Sequence, residues 1–228
     1  LVPTRELQQF LETRGFRHVR QLARAVDTRQ FHPDRRSEAL RAQWGLTPGQ
    51  LAVIHVGRIA AEKNLALLAR TFDAIQAARP DARCIVVGDG PALPALRAQQ
   101  SGFVFTGMRR GDDLAAHFAS GDLFLFPSLT ETFGNVTLEA MASGVPVVAF
   151  DYGAAREHLR DHHSGAAVAF GDADAYVGAA VGLAFNDDLR RRCALAALDR
   201  VRGLSQRAVA EALVRLLSEP RTGTARVV

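Results

Sequence analysis

From about residue 50 onward, short apolar runs alternate with helical patterns, and this alternation decides the fold class. The apolar runs fall at 52–56, 83–87, 104–107, 123–126, 145–149 and 166–169. Helical stretches separate them near 65–78, 93–100, 112–119, 135–142 and 154–159. Strands this apolar have no polar face to turn to water, so they are expected in a parallel sheet covered by helices on both faces. Three more helices are expected near 173–185, 189–200 and 206–217. No internal repeat or low-complexity run breaks the pattern.

The 228 residues allow one large domain, or one domain with fragments, and a sizeable core. No stretch reaches membrane-span length. The opening Leu1-Val2-Pro3-Thr4-Arg5 has neither an initiator Met nor a signal-peptide pattern, so the chain is expected to begin mid-protein. Cys84 and Cys193 lie far apart and suggest no disulfide framework; Cys84 reads as core, and a reducing cytoplasm fits. The net charge is +4. No basic patch is interleaved with aromatics, so nucleic acid is not an expected partner. Arg191, Arg192 and Arg215 offer only a weak peripheral contact to anionic lipid, at the inner face of a membrane.

Before residue 37 the pattern differs. Thr4 is placed to cap a helix ending at Gly15, 17–25 reads as a strand, and 26–33 as an irregular connector.

The stretch from Phe124 to Val148, FLFPSLTETFGNVTLEAMASGVPVV, carries the most chemistry. It reads as strand, loop, helix, strand. Pro127 stops the first strand, Gly134 and Asn135 suit a helix start, and Gly144 a helix stop. A helix opening after a parallel strand points free N–H groups into the crevice, where phosphate binds. Glu131 precedes that helix, and Glu139 shares a helix face with Asn135. An anion site flanked by two hydroxyl-binding carboxylates suits a sugar joined to a nucleotide diphosphate. Each Glu taken alone reads more readily as a solvated, structural charge than as a functional one.

A second constellation closes the first strand: His55-Val56-Gly57-Arg58, then Glu62-Lys63-Asn64. Gly57 lets a ligand approach the backbone closely. Arg58 and Lys63 lie at a strand's carboxyl end, where two fixed cations suit a diphosphate. Each contributes roughly 1.5–3 kcal/mol if buried. Lys63 is the only lysine among many arginines, which marks a place for a compact ammonium. The bland reading is two exposed cations and a coding bias.

Together, Glu131 and Glu139 with Thr-Phe-Gly-Asn between and Ala-Met-Ala-Ser-Gly after resemble the E-x7-E signature of retaining family-4 glycosyltransferases. The agreement covers roughly twenty consecutive positions. The Gly-Arg…Glu-Lys-Asn run resembles the same family. So does the connector Ala25-Val26-Asp27-Thr28…Phe31-His32-Pro33, with Ala25 where the family has glycine. The resemblance implies the carboxyl-terminal, Rossmann-like half of a two-domain GT-B enzyme. Residues 1–36 would be the tail of an amino-terminal acceptor domain plus hinge, 37–203 the nucleotide-sugar domain, and 204–228 a last helix crossing back.

It further implies that Arg58 and Lys63 grip the donor pyrophosphate, that Glu131 lies near the donor sugar, and that Glu139 takes the ribose hydroxyls. The loop amides of Thr132, Phe133, Gly134, Asn135 and Val136 would take sugar and phosphate oxygens, and the backbone near Met108 the base. The implied partners are a nucleotide-sugar donor, a hydroxyl acceptor (sugar or lipid-linked) and the missing amino-terminal domain. No cofactor or metal is implied.

Other signals are weaker. Gly88-Asp89-Gly90 half matches a dinucleotide fingerprint, but Leu93 stands where a glycine would be needed, so its glycines are expected to shape a turn beside the nucleotide. At Gly153-Ala154 the family pairs two glycines, which leaves backbone contacts there open. His158, His162 and His163 have metal-like spacing, but no carboxylate or cysteine completes a set. Ser128 lies in no G-x-S-x-G elbow. A sugar-nucleotide epimerase of the same architecture and a non-catalytic nucleotide-sugar module remain as alternatives.

Overall fold

Residues 1–159 and 163–218 are described by a computed structural model of the chain. Strands β1 (Ala52–Val56), β2 (Arg83–Val87), β3 (Val104–Gly107), β4 (Leu123–Phe126), β5 (Val147–Phe150) and β6 (Gly165–Val168) form one parallel sheet. Its order is β3-β2-β1-β4-β5-β6. The chain starts at the centre, builds outward to β3, and returns to lay β4 beside β1. Ile54 pairs with Phe124, so β1 and β4 end level with each other.

The helices are α1 (Arg5–Glu12), α2 (Glu38–Gln43), α3 (Leu65–Ala78), α4 (Leu93–Gln99), α5 (Gly111–Ser120), α6 (Asn135–Ala142), α7 (Gly153–His158), α8 (Ala173–Phe185), α9 (Asp187–Arg202) and α10 (Gln206–Ser218). Alternate side chains of the central strands feed two cores. Ala52, Ile54, Val56, Phe124 and Phe126 pack with residues of α5, α6, α7 and α9 on one side. Val53, Leu123 and Leu125 pack with α3, α4 and α8 on the other. Burying each large apolar side chain contributes about 1.5–3 kcal/mol. The doubly covered parallel sheet expected from the apolar runs is therefore present.

Three expectations need correction, and one helix was not expected. Residues 17–25 form no strand. His18 takes a left-handed φ of 57°, which breaks extension. The segment pairs only through a bridge between Val2 and Gln21. Strand β5 begins at Val147 rather than Val145. Val145 N–H is spent closing α6 on the Ala140 carbonyl at 2.9 Å, and Pro146 has no N–H to give. Helix α2, which the apolar pattern did not mark, starts where Ser37 Oγ accepts Leu40 N–H at 3.1 Å. Thr4 caps α1 as expected, but regular helix stops at Glu12, short of Gly15.

No helix among the described residues is long and apolar enough to cross a membrane.

Candidate functional site

The chain reverses direction across the sheet between β1 and β4, and loops leave their carboxyl ends in opposite directions. That divergence opens a crevice, the place where open α/β sheets hold ligands. Two cavities meet there. One, of about 330 Å³, is bounded by Arg24, Arg58, Lys63, Glu131 and the Thr132–Val136 loop. The other, of about 540 Å³, runs under the β2 and β3 loops past Asp89, Met108, Arg109 and Leu114. Val56, Gly57 and Arg58 wall both.

The turn after β1 is built for close backbone contact. Gly88 lies so near that a Cβ on it would sit 1.9 Å from the Gly57 carbonyl oxygen, and one on Gly90 2.4 Å from that of Ile59. Ile59 N–H donates to the Asp89 carbonyl at 2.9 Å. These glycines thus let the β2 turn pack on the β1 loop, forming part of the larger cavity's wall.

Lys63 closes a short 3-10 turn, Ala61–Lys63, and Asn64 follows in the left-handed region at φ 53°. Asparagine tolerates that conformation better than most residues. The turn aims Lys63 Nζ back over the crevice floor. There it ion-pairs with Glu131 and lies 3.5 Å from Ser128 Oγ and 5.3 Å from the Phe126 ring centre. Arg58 is largely exposed, 3.6 Å from Glu62.

The β4 loop is fixed to the β1 loop by Leu129 N–H donating to the Glu62 carbonyl at 2.9 Å. Buried Ser128 donates to Glu131 at 2.9 Å, and Tyr152 OH donates to the Ser128 carbonyl at 2.8 Å. Burial above all pushes the Tyr152 phenol up to about 12; the nearby Glu131 charge adds to this, and the bond at Ser128 opposes it. Gly134 takes φ 91° at the start of α6, a conformation that favours glycine. Behind it, Ala154 N–H holds the Phe133 carbonyl at 2.7 Å. The Gly153-Ala154 turn therefore props up the loop.

The structure brings Gly57, Arg58, Lys63, Glu131 and residues 132–136 to one crevice, with Met108 on the wall of its neighbour. Thr132 and Asn135 are exposed, while Phe133 is buried against His158. Glu139 is half-buried one turn along α6 and lies outside both cavity walls. Burial raises its carboxyl, and it has no hydrogen-bond or ion-pair partner among the described residues.

Three residues were not marked by the sequence. Arg24 walls the smaller cavity, and Ser128 and Tyr152 support Glu131. His55 is fully buried under Gly57. Its Nδ1–H donates to the Leu125 carbonyl at 3.0 Å, and Nε2 has no partner among the described residues. Of the histidine trio, His158 is buried with its ring driven down to about 4, chiefly by burial, His163 is exposed, and His162 lies outside the described residues. No group of three or more metal-type side chains occurs among the described residues.

Comparison with known proteins bears on the family and the fold. The model of the family described as glycosyl transferases, group 1, matches residues 50–186. A GDP-mannose-dependent alpha-mannosyltransferase of Mycobacterium tuberculosis is 36% identical over 214 residues, which is 94% of this chain and 54% of the relative. A sulfoquinovosyl transferase of Arabidopsis thaliana is 42% identical over 155 residues, 65% of this chain and 30% of the relative. The chain thus spans about half or less of these relatives' length. Among solved structures, Anabaena Alr3699/HepE in complex with UDP superimposes with a TM-score of 0.82 at 22% identity, covering 95% of this chain and 62% of that one. Sucrose-phosphate synthase from Thermosynechococcus elongatus gives 0.81, also at 22%, covering 95% and 56%. At such identity these two likenesses bear on the fold alone.

Proposed function

The chain belongs to the group 1 glycosyl transferases, and from that premise we propose that it supplies the donor site of a retaining hexosyltransferase that uses a nucleotide diphosphate sugar. The observation that carries this is the crevice between β1 and β4, where Arg58, Lys63 and Glu131 face the start of α6. Cations and free helix N–H groups suit the diphosphate, and a carboxylate beside them suits sugar hydroxyls. The adjoining apolar cavity suits the base. The relatives' names point to GDP-mannose as one donor, and a fold neighbour is solved in complex with UDP, so both nucleotides are tested.

In this reading the bond from the anomeric carbon to the diphosphate oxygen breaks. The acceptor hydroxyl forms the new bond on the same face, and its proton goes to the leaving phosphate. Negative charge grows on the diphosphate as the bond breaks. Arg58, Lys63 and the amino end of α6 are preorganised to meet that charge without a metal. Glu131, held by Ser128 and Lys63, orients the sugar. Glu139 holds the ribose, with a carboxylate that no donor among the described residues occupies. The acceptor, a hydroxyl on a sugar or lipid-linked glycan, would be held mainly by a further domain.

Titration calorimetry of this chain with UDP and GDP tests the reading. Binding of one of them without sugar transfer by the chain alone is the expected result. No heat with either nucleotide at millimolar concentration would sink the donor site.

A further inference from the structure

We propose that Arg24 is a third cation of the diphosphate site, held over the crevice by a strap of chain that precedes the sheet. The proposal deepens the donor-site reading and rests on it. The strap, residues 21–26, is tied down at both ends. Leu22 N–H donates to the Val2 carbonyl at 2.9 Å, and Gln21 Nε2 to Glu157 at 3.0 Å. At the far end, Val26 is buried and its N–H donates to the Leu204 carbonyl at 2.9 Å. Arg24 lies between these anchors and walls the 330 Å³ cavity beside Arg58, Lys63 and Glu131.

Charge balance says what it does there. Each phosphate of a sugar diphosphate carries a negative charge. The Lys63 charge is already matched by Glu131, and Arg58 has Glu62 at 3.6 Å. The amino end of α6 adds about half a charge. The two phosphates would therefore be under-matched by the groups around them. Arg24 makes no hydrogen bond or ion pair among the described residues. Its guanidinium cannot shed its proton, and its planar fork fits two phosphate oxygens at once. It is the uncommitted cation at the point where one is lacking.

Its place outside the sheet domain also matters. A ligand held by Arg24 and Lys63 together would tie the preceding segment to the sheet, so donor binding and the setting of the strap become one event.

The test is calorimetry with UDP and GDP on the unaltered chain, Arg24→Ala, Arg24→Lys and Arg29→Ala. Arg29 lies a few residues on, its side chain 89% exposed, and serves as a charge control. Arg24→Ala should bind the preferred nucleotide about tenfold more weakly, as loss of one charge-assisted bond implies. Its affinity should also fall less steeply with added salt. Arg24→Lys should lie between, and Arg29→Ala should match the unaltered chain. Unchanged affinity in Arg24→Ala overturns the assignment and leaves the donor site standing. An equal loss in Arg29→Ala also overturns it, because general charge would then explain the effect. No binding by the unaltered chain overturns both readings.

Discussion

Each edge of the sheet holds a cavity lined by arginines, and the two differ in how those charges are met. At the amino edge a cavity of about 350 Å³ lies between the starts of β1, β4 and β5. Arg41 there is 2% exposed; it donates to the Ser120 and Gln50 carbonyls at 2.7 and 2.6 Å and pairs with Asp122 at 2.9 Å. Arg36 meets Asp122 at 3.1 Å, and Arg190 meets Asp187 at 2.7 Å. Helices α5 and α8 end nearby, and these arginines cap their free carbonyls. At the carboxyl edge, Arg24 and Glu139 have no partner among the described residues, and His55 Nε2 is bare. A scaffold arginine and a ligand-facing one look alike in the sequence. What separates them is whether the fold has already spent the charge.

The largest effects should split along that line. Arg41→Ala takes one of Asp122's two arginines, leaves the Ser120 and Gln50 carbonyls unmet, and should lower unfolding free energy by on the order of 3–5 kcal/mol. Lys63→Ala also breaks a largely buried pair, so it should cost stability too, by up to about 3 kcal/mol, but unlike Arg41→Ala it should cut turnover of the intact enzyme by about 10²–10³. Lys63→Arg should impair it too, because a planar fork is larger than the ammonium seated between Glu131, Ser128 and Phe126. Denaturant melts and transfer rates on the same variants measure both. Normal turnover in Lys63→Ala, or an Arg41→Ala protein as stable as the parent, breaks the comparison.

The unmatched edge should also weaken the fold in acid. Burial drives the His55 imidazole down to about 4, with the nearby Lys63 charge a lesser cause, against its ordinary 6.5. The unfolded chain therefore binds a proton that the folded chain resists. Stability from this residue is whole above pH 6.5 and falls as pH drops toward 4, by roughly 3 kcal/mol. Urea midpoints at pH 7 and pH 4.5 should converge less steeply toward zero in His55→Phe than in the parent. An equal acid drop in both proteins removes His55 from the account.

Much of this was readable in advance, for identifiable reasons. Strands β1 to β4 are apolar runs bounded by turn residues, and their ends fall where the pattern places them. Lys63 stood out by being the sole lysine, and Glu131 by its spacing from Glu139. Arg24 gave no such signal: it is one of many arginines in an irregular segment. Its position depends on anchors at Val2, Glu157 and Leu204, contacts that local pattern does not encode. Ser128 was equally silent. Its hydroxyl matters only because the loop folds Glu131 back onto it. His55 read as one residue of an apolar strand, and its bare nitrogen follows from the packing of β1 against β4.

The smallest predicted effect concerns Glu139. It is half-buried on α6, its carboxyl is raised by burial alone, and no donor among the described residues satisfies it. A carboxylate left in that state is stabilised by whatever brings hydroxyl donors, which the ribose of a nucleotide does. Nucleotide affinity should then fall as pH drops through the raised value, because the protonated acid is a poorer acceptor. Binding should in turn pull the carboxyl back down. Glu139→Gln keeps the shape and removes the charge, so it should bind UDP or GDP about tenfold more weakly, the scale of one charge-assisted bond. It should also lose the acid-side dependence. Glu131→Gln should leave free nucleotide affinity near the parent's and slow sugar transfer instead, if Glu131 orients the sugar as proposed. Calorimetry at several pH values, with transfer assays on the intact enzyme, separates the two. Equal loss of nucleotide affinity in both variants, with the same pH profile, would show that the two carboxylates do not divide the donor between them.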